Sequence, residues 1–326
     1  MNKKLNLAIL GAGGIAGHMA NTVNKMKEAR LYAVGSRDLG RAEAFAKQYG
    51  AKKAYGSYEE LVEDEKVDLV YIATPHSEHY AHALLCLHHD KPVLCEKAFT
   101  VNSGQARELV ALAQKKNVLL AEALWPRYMP LLKTIKKTLK SGVIGEPQIL
   151  TANLGYSIAH VDRLVNPELA GGALLDLGVY TINFAAMVFG TKIKKIDATA
   201  IMADSGVDAQ NNITLTYEDG RMAVLTSTMR GMSDRKGIVY GTKGFMIVEN
   251  INNFESLSVY DNNYQKVAFY KRPKQITGYE YEVAACIKAL GAGKIECKAM
   301  PHKEIIKMMG IMDEIRGQWG LKYPFE

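Results

Sequence analysis

Residues 5–17 read LNLAILGAGGIAG. Six largely apolar residues form a strand-like run. A glycine-rich turn follows, and then Ile15, Met19, Val23 and Met26 recur at helical spacing. Gly11, Gly13 and Ala16 fit G-x-G-x-x-[GA], placed directly after a strand and opening a helix. That context gives the glycines a physical purpose. They allow a tight turn and a close backbone approach, while the helix start offers unpaired N–H groups and partial positive charge. Gly11, Gly13, Gly14, Ile15 and Ala16 are therefore candidate ligands of a dinucleotide pyrophosphate. The alternative is a glycine turn that holds nothing.

Outward from this unit the pattern repeats. LYAVGS (31–36) reads as a second strand, followed by a helix with Asp38 as N-cap and Gly50 as stop. AYGSYEEL gives a short strand turning into a helix, and VDLVYIA (67–73) is a continuous apolar run of the central parallel type. A helix, PVLCEK, the helix NSGQARELVALAQKKN and the strand VLLAEA complete the half. Alternating strand and helix predict a doubly wound parallel α/β sheet over residues 1–124.

The grammar changes after Leu124. A helix at 131–142, a strand near 148–155 and the helix GGALLDLGVYTINFAAMVFG lead into IDATAI, a hairpin turning at Asp219–Gly220, GIVYGTKGFMIVEN, LSVYD and KVAFYK. Helices near 277–291 and 302–319 follow. Residues 125–326 are expected to form an α+β domain with an open-faced, mainly antiparallel sheet that binds substrate. Its uncovered face suits pairing of subunits, so a homodimer or higher homo-oligomer is expected.

Composition narrows the function. Of 326 residues, 48% are hydrophobic and 23% charged, the balance of an ordinary globular protein. The net charge of +7 comes from dispersed basic residues with no aromatic-laced stripe, so small anions rather than nucleic acid are the expected partners. No signal peptide is read over Met1–Leu5, and no uninterrupted apolar stretch approaches the roughly 18 residues of a membrane helix. Cys86, Cys95, Cys286 and Cys297 form no C-x-x-C pair and read as buried, reduced thiols of a cytoplasmic protein.

At the second strand end stands Gly35-Ser36-Arg37-Asp38, with Arg41 a turn later. Ser36, Arg37 and Arg41 suit a 2′-phosphate, which favours NADP over NAD. Both arginines would equally serve a solvated surface, and Asp38 remains within reach of a ribose. His76, His79 and His82 lack a completing acidic or thiol ligand, so no metal is expected. At 91–100, KPVLCEKAFT, a buried strand ends on Glu96 and Lys97, charges that need a partner or a use.

GAGGIAG, ATPHSEHY (73–80), LCEKAFT (94–100), EALWPRYMP and GGALLDLGVY (171–180) together resemble the Gfo/Idh/MocA oxidoreductases, most closely their dimeric dihydrodiol dehydrogenase branch. The resemblance spans essentially the whole chain. It implies a Rossmann domain followed by an open-faced domain, and hydride transfer between NAD(P) and the carbinol or carbonyl carbon of a sugar, polyol or diol. It makes Lys97 the catalytic lysine and puts Glu96 beside it, on that lysine or on ribose. It places Thr74, Pro75, His76 and His79 near the cofactor. Asp176 and Tyr180, four apart on one helix, become catalytic and substrate-binding, and Trp125 and Arg127 line the substrate pocket. Where the family has E-K-P, this chain has Glu96-Lys97-Ala98. A non-catalytic dinucleotide sensor is the alternative, and chemistry that recycles a bound cofactor without net oxidation is a third.

Overall fold

The structure is a computed structural model and describes residues 4–326, so the first three residues of the leader reading lie outside the described residues. The chain divides into two compact units. One runs to Leu124 and includes Gln275–Ile306; the other holds Trp125–Lys274 and Lys307–Glu326.

The first unit is built on β1 (Leu5–Leu10), α1 (Gly14–Val23), β2 (Ala29–Gly35), α2 (Leu39–Tyr49), β3 (Lys53–Tyr55), α3 (Tyr58–Glu63), β4 (Leu69–Ile72), α4 (His79–His88), β5 (Val93–Glu96), α5 (Ser103–Lys116) and β6 (Leu120–Ala123). Its six strands lie in the order β3-β2-β1-β4-β5-β6, all parallel. The central strands are buried along their length, which is why they read as continuous apolar runs. Helix ends follow local chemistry. Asp38 caps α2 by accepting from Arg41 N at 2.9 Å, and Gly50 stops it at φ 76°. Ser57 caps α3 and Asn102 caps α5 in the same way.

The second unit contains α6 (Leu131–Lys140), β7 (Pro147–Gly155), the short α7 (Asp162–Val165), a π-helical turn (Leu174–Gly178) and α8 (Val179–Phe189). An eight-stranded sheet is completed by β8 (Ile193–Met202), β9 (Asp208–Tyr217), β10 (Met222–Thr228), β11 (Gly237–Gly241), β12 (Gly244–Glu249), β13 (Ser256–Asp261) and β14 (Lys266–Lys271). Its order is β14-β13-β12-β11-β7-β10-β9-β8, and every pair is antiparallel except β7 with β10. The expected fold class is therefore the observed one.

Helix α8 is apolar almost all round because it is the core. Its Phe184 ring approaches β11 so closely that a Cβ on Gly237 would sit 2.3 Å from it. The stretch Pro167–Phe189, though interrupted by Glu168, Asp176 and Asn183, is long and apolar enough to cross a membrane by length and mean hydropathy. However, 89% of its most apolar window is buried within the protein, so this apolar surface is used in packing.

The expected second domain of 125–326 also needs correction. Helix α9 (Glu280–Gly291) and the start of α10 (His302–Trp319) belong to the first unit. The edge of β6 explains this. Leu120 N donates to Ile295 O at 3.0 Å, and His302 Nε2 lies 2.9 Å from Leu120 O. An edge strand needs its open backbone groups paired, and residues far along the chain do it here.

Candidate active site

The turn after β1 separates glycines that the fold needs from glycines it does not. Gly11 has φ 102°, and a Cβ there would meet Thr74 Cγ2 at 3.0 Å and the Ala73 carbonyl oxygen at 3.1 Å. Gly13 is extended and exposed, and a Cβ on it would find only the Ala73 oxygen, at 3.9 Å. At Gly14 it would meet nothing within 4 Å. Helix α1 has no side-chain cap and no acidic residue in its first turn. Its leading N–H groups, over Gly14, Ile15 and Ala16, therefore face an open mouth that neither packing nor dihedral strain explains. A pyrophosphate fits that mouth.

At the end of β2, Ser36 is buried and its Oγ accepts from Asp38 N at 3.3 Å. Asp38 is engaged as the cap of α2, while the side chains of Arg37 and Arg41 are exposed. Two aromatic rings stand beside them. Burial raises the Tyr58 phenol, and Arg37 and Arg41 oppose that shift. Burial, with the Arg37 charge nearby, pushes His82 down to about 4, so its imidazole is neutral at neutral pH. His82 sits edge-on to Tyr58 at 4.6 Å and 3.0 Å from Thr74 Oγ1. Tyr58 and His82 thus join a cationic corner to which no sequence motif pointed. They come from different helices and carry no fixed spacing to the arginines.

Beyond β4, Thr74 and Pro75 are half-buried and lead into a short 3₁₀ turn that starts at His76. The buried His76 ring lies 5.7 Å from that of His79. His79 departs from its expected role. It is fully buried, with Nδ1 2.8 Å from Ala98 O and Nε2 2.9 Å from Thr74 O. Burial holds it near 4, so it carries one N–H and serves one carbonyl at a time. It is a strut tying the ends of β4 and β5, not a face offered to a ligand.

Glu96 ends β5 and Lys97 follows it. The Tyr71 hydroxyl donates to Glu96 Oε1, and Lys97 N donates to Glu96 Oε2 at 3.2 Å. The buried carboxylate therefore holds the main chain from which the half-buried Lys97 side chain projects. The Lys97–Ala98 peptide is cis. Behind this pair α9 contributes Glu282, fully buried, with neither carboxyl oxygen hydrogen-bonded among the described residues. Burial, and after it the neighbouring Glu96 carboxylate, pushes Glu282 well above its ordinary value. Glu282 gave no signal in the sequence, where EYEVAAC reads as an ordinary amphipathic start.

In the second unit, Trp125 and Arg127 sit in a 3₁₀ turn, both buried. Trp125 Nε1 donates to Tyr180 Oη at 3.2 Å, and Arg127 Nε donates to Asn183 Oδ1 at 2.7 Å. Asp176 lies in the π-helical turn, wider than the uninterrupted helix expected, and Tyr180 follows in the first turn of α8. Arg163, which the sequence reading overlooked, donates to Asp176 Oδ1 at 3.3 Å. The second unit thus brings together a phenol under an indole and a buried carboxylate under an arginine. Among the described residues, no group of three or more His, Cys, Asp or Glu side chains is placed to hold a metal.

A doubly wound sheet with an open glycine-helix mouth is a dinucleotide-binding fold, and comparison with known proteins supplies the class of chemistry. Residues 5–124 match the oxidoreductase family model with an NAD-binding Rossmann fold, and residues 132–247 match the GFO/IDH/MocA C-terminal domain. The chain belongs to the GFO/IDH/MocA oxidoreductase family. The mouse trans-1,2-dihydrobenzene-1,2-diol dehydrogenase is 34% identical across 98% of both chains. A 3-ketoreductase from Actinomadura kijaniata, solved with NADP and TDP-benzene, superposes with a TM-score of 0.87 at 23% identity over 97% of this chain and 98% of its own. An aldose-aldose oxidoreductase from Caulobacter crescentus, complexed with glycerol, gives 0.87 at 20% over 98% and 99%.

The contrast between the glycines is testable. Gly13→Ala is expected to leave urea stability within about 0.5 kcal/mol of wild type and to weaken NADP binding at least ~10-fold, because a methyl group intrudes on the pyrophosphate approach. Calorimetric titration beside a denaturation curve checks it; unchanged affinity would show that the mouth does not take the pyrophosphate.

Proposed function

We propose that the protein transfers a hydride between NADP and the carbinol or carbonyl carbon of a diol, polyol or sugar. When bound, the nicotinamide supplies or accepts the hydride. The chain's own groups manage the proton and the hydroxyls. The carrying observation is the pairing of Trp125 with Tyr180 and of Arg163 with Asp176. A phenol and a carboxylate, both buried and both oriented, are hydroxyl-reading groups of the kind that select a vicinal diol or a sugar. The name of the curated relative, a trans-1,2-dihydrobenzene-1,2-diol dehydrogenase, supports a diol within that substrate class.

In this reading Lys97 takes the proton of the substrate hydroxyl in oxidation and returns it in reduction. Glu96 orients Lys97 through the main chain. Tyr180 shares the proton-transfer work, Asp176 accepts from a substrate hydroxyl, and Trp125 and Arg127 wall that part of the pocket. Arg37, Arg41 and Ser36 meet the 2′-phosphate.

The second sheet supports a homodimer as part of the same proposal. Met222, Ile149 and Tyr240 are paired in register across β10, β7 and β11, and all three are exposed. The row continues through Phe245 to Tyr260, whose rings stack at 4.9 Å. Such a stripe is apolar surface that a second copy would cover.

A spectrophotometric screen of NADPH and NADP turnover across aldoses, ketoses, dicarbonyls, polyols and cyclic diols tests the function. In it Lys97→Met should bind NADP within a few-fold of wild type yet turn over ~10²–10⁴-fold more slowly, and Tyr180→Phe should lose at least ~10-fold in kcat/KM. Tight binding without turnover of any substrate would leave a dinucleotide sensor. NADP should bind more tightly than NAD, and Arg37→Ala should erode that difference by about 1–3 kcal/mol; NAD binding as tightly would sink the preference. Light scattering at micromolar concentration should give twice the 36.0 kDa chain mass, and a monomer would reject the dimer.

A further inference from the structure

The two glycines that open GGALLDLGVY have no explanation in the chemistry so far. Packing supplies one. A Cβ on Gly171 would lie 2.6 Å from Leu164 O, and one on Gly172, at φ 121°, would lie 2.3 Å from Asp208 Oδ1. Asp208 begins β9 and is fully buried. Its Oδ2 accepts from Leu174 N, the first residue of the π-helical turn, at 2.8 Å, and from Asn211 Nδ2 at 2.8 Å. Asn211 Oδ1 accepts in turn from Ser227 Oγ at 2.8 Å on β10. Asp208 Oδ1 has no hydrogen-bond partner among the described residues.

We propose that Asp208 is a positioning residue for the reaction: its carboxylate, seated against Gly172 and bonded to Leu174 N, fixes the turn that carries Asp176 and leads into Tyr180. The inference rests on the reading that Asp176 and Tyr180 handle the substrate. Three features of the site fit it. An anion at the start of a helix is stabilised by the helix dipole and by the unpaired leading N–H groups. The Ser227–Asn211–Asp208 chain fastens that anion to two strands of the sheet, a rigid support. The same loop is held from its other side, where Tyr323 Oη donates to Gly171 O at 2.7 Å.

The arrangement costs stability. Burial pushes the Asp208 carboxyl up from 3.8 to about 7, against the pull of the Asn211 and Leu174 donors and of the Arg316 charge. The charged or titratable groups that face it are Arg316 from α10 and Tyr323 from the segment after it. A raised folded value means that the unfolded chain releases this proton first. The fold therefore loses stability as pH rises from about 4 to about 7, while the anion that grips Leu174 N forms only toward the upper end of that window. A charge retained at such a cost is expected where geometry matters more than stability.

Asp208→Asn keeps the shape and removes the charge. At pH 8, amide exchange across residues 172–180 should accelerate at least ~10-fold in this variant, with NADP affinity within twofold of wild type. On the substrate found by the turnover screen, kcat should fall ~10-fold with little change in KM, and the wild-type acid limb near pH 7 should disappear. The stability slope between pH 4 and 7 should flatten. A folded Asp208→Asn protein with wild-type protection over 172–180 and a wild-type pH profile overturns the proposal. Should that variant not fold, Asn211→Ala decides: losing one donor should move the acid limb to higher pH, and an unmoved limb overturns the proposal. Failure of the parent reading looks different. Asp176→Asn and Tyr180→Phe would then turn over like wild type, while exchange over 172–180 would still rise in Asp208→Asn.

Discussion

A side chain at Gly11 would be strained. The backbone there takes φ 102° and runs against the Ala73 carbonyl and Thr74, so the chain leaves β1, turns, and enters α1 with its first N–H groups uncovered. The rest of the first unit is arranged around that turn. Because β1 pairs with both β2 and β4, the carboxyl ends of these strands deliver Ser36 and Thr74 to the two flanks of the same mouth. One conformational constraint, met by one residue type, thereby sets where a dinucleotide can lie.

A second theme is the treatment of buried acids. Glu96, Glu282 and Asp208 are all withdrawn from water, and each is handled differently. Glu96 is met by the Tyr71 hydroxyl and the Lys97 main chain, so its oxygens are satisfied. Glu282 has no side-chain hydrogen bond among the described residues and lies close to Glu96, and both burial and that neighbour raise its pKa. Asp208 is intermediate, with one oxygen doubly bonded and the other bare. Burying a carboxylate without partners is costly, and an apolar residue would pack more cheaply at all three positions. Their placement beneath Lys97 in one unit and beneath Asp176 in the other marks both as places where stability has been exchanged for charge geometry.

Much of this is legible in the sequence. Continuous apolar runs, the N-cap Asp38 and the stop Gly50 are local signals, and each produced the element it announced. Glu96 and Lys97 stood out because a charged pair at the end of a buried strand requires an explanation. His79 misled because a histidine beside a strand end looks the same whether it faces a ligand or ties two carbonyls together. Arg163, Tyr58 and Glu282 were invisible, since each acts on a residue distant in sequence or on a different element.

Sequence by itself determined the parallel and antiparallel sheets, the glycine turn, and which strand ends carry ionisable groups. These follow from backbone dihedral limits and from the period of apolar residues, both properties of neighbours along the chain. Tertiary structure alone decided that residues 275–306 cover the edge of β6, that Glu282 is sealed beside Glu96, and that Asp208 grips the turn bearing Asp176. Each of these depends on which groups lose water together, and desolvation is set by packing among distant segments that no local pattern encodes.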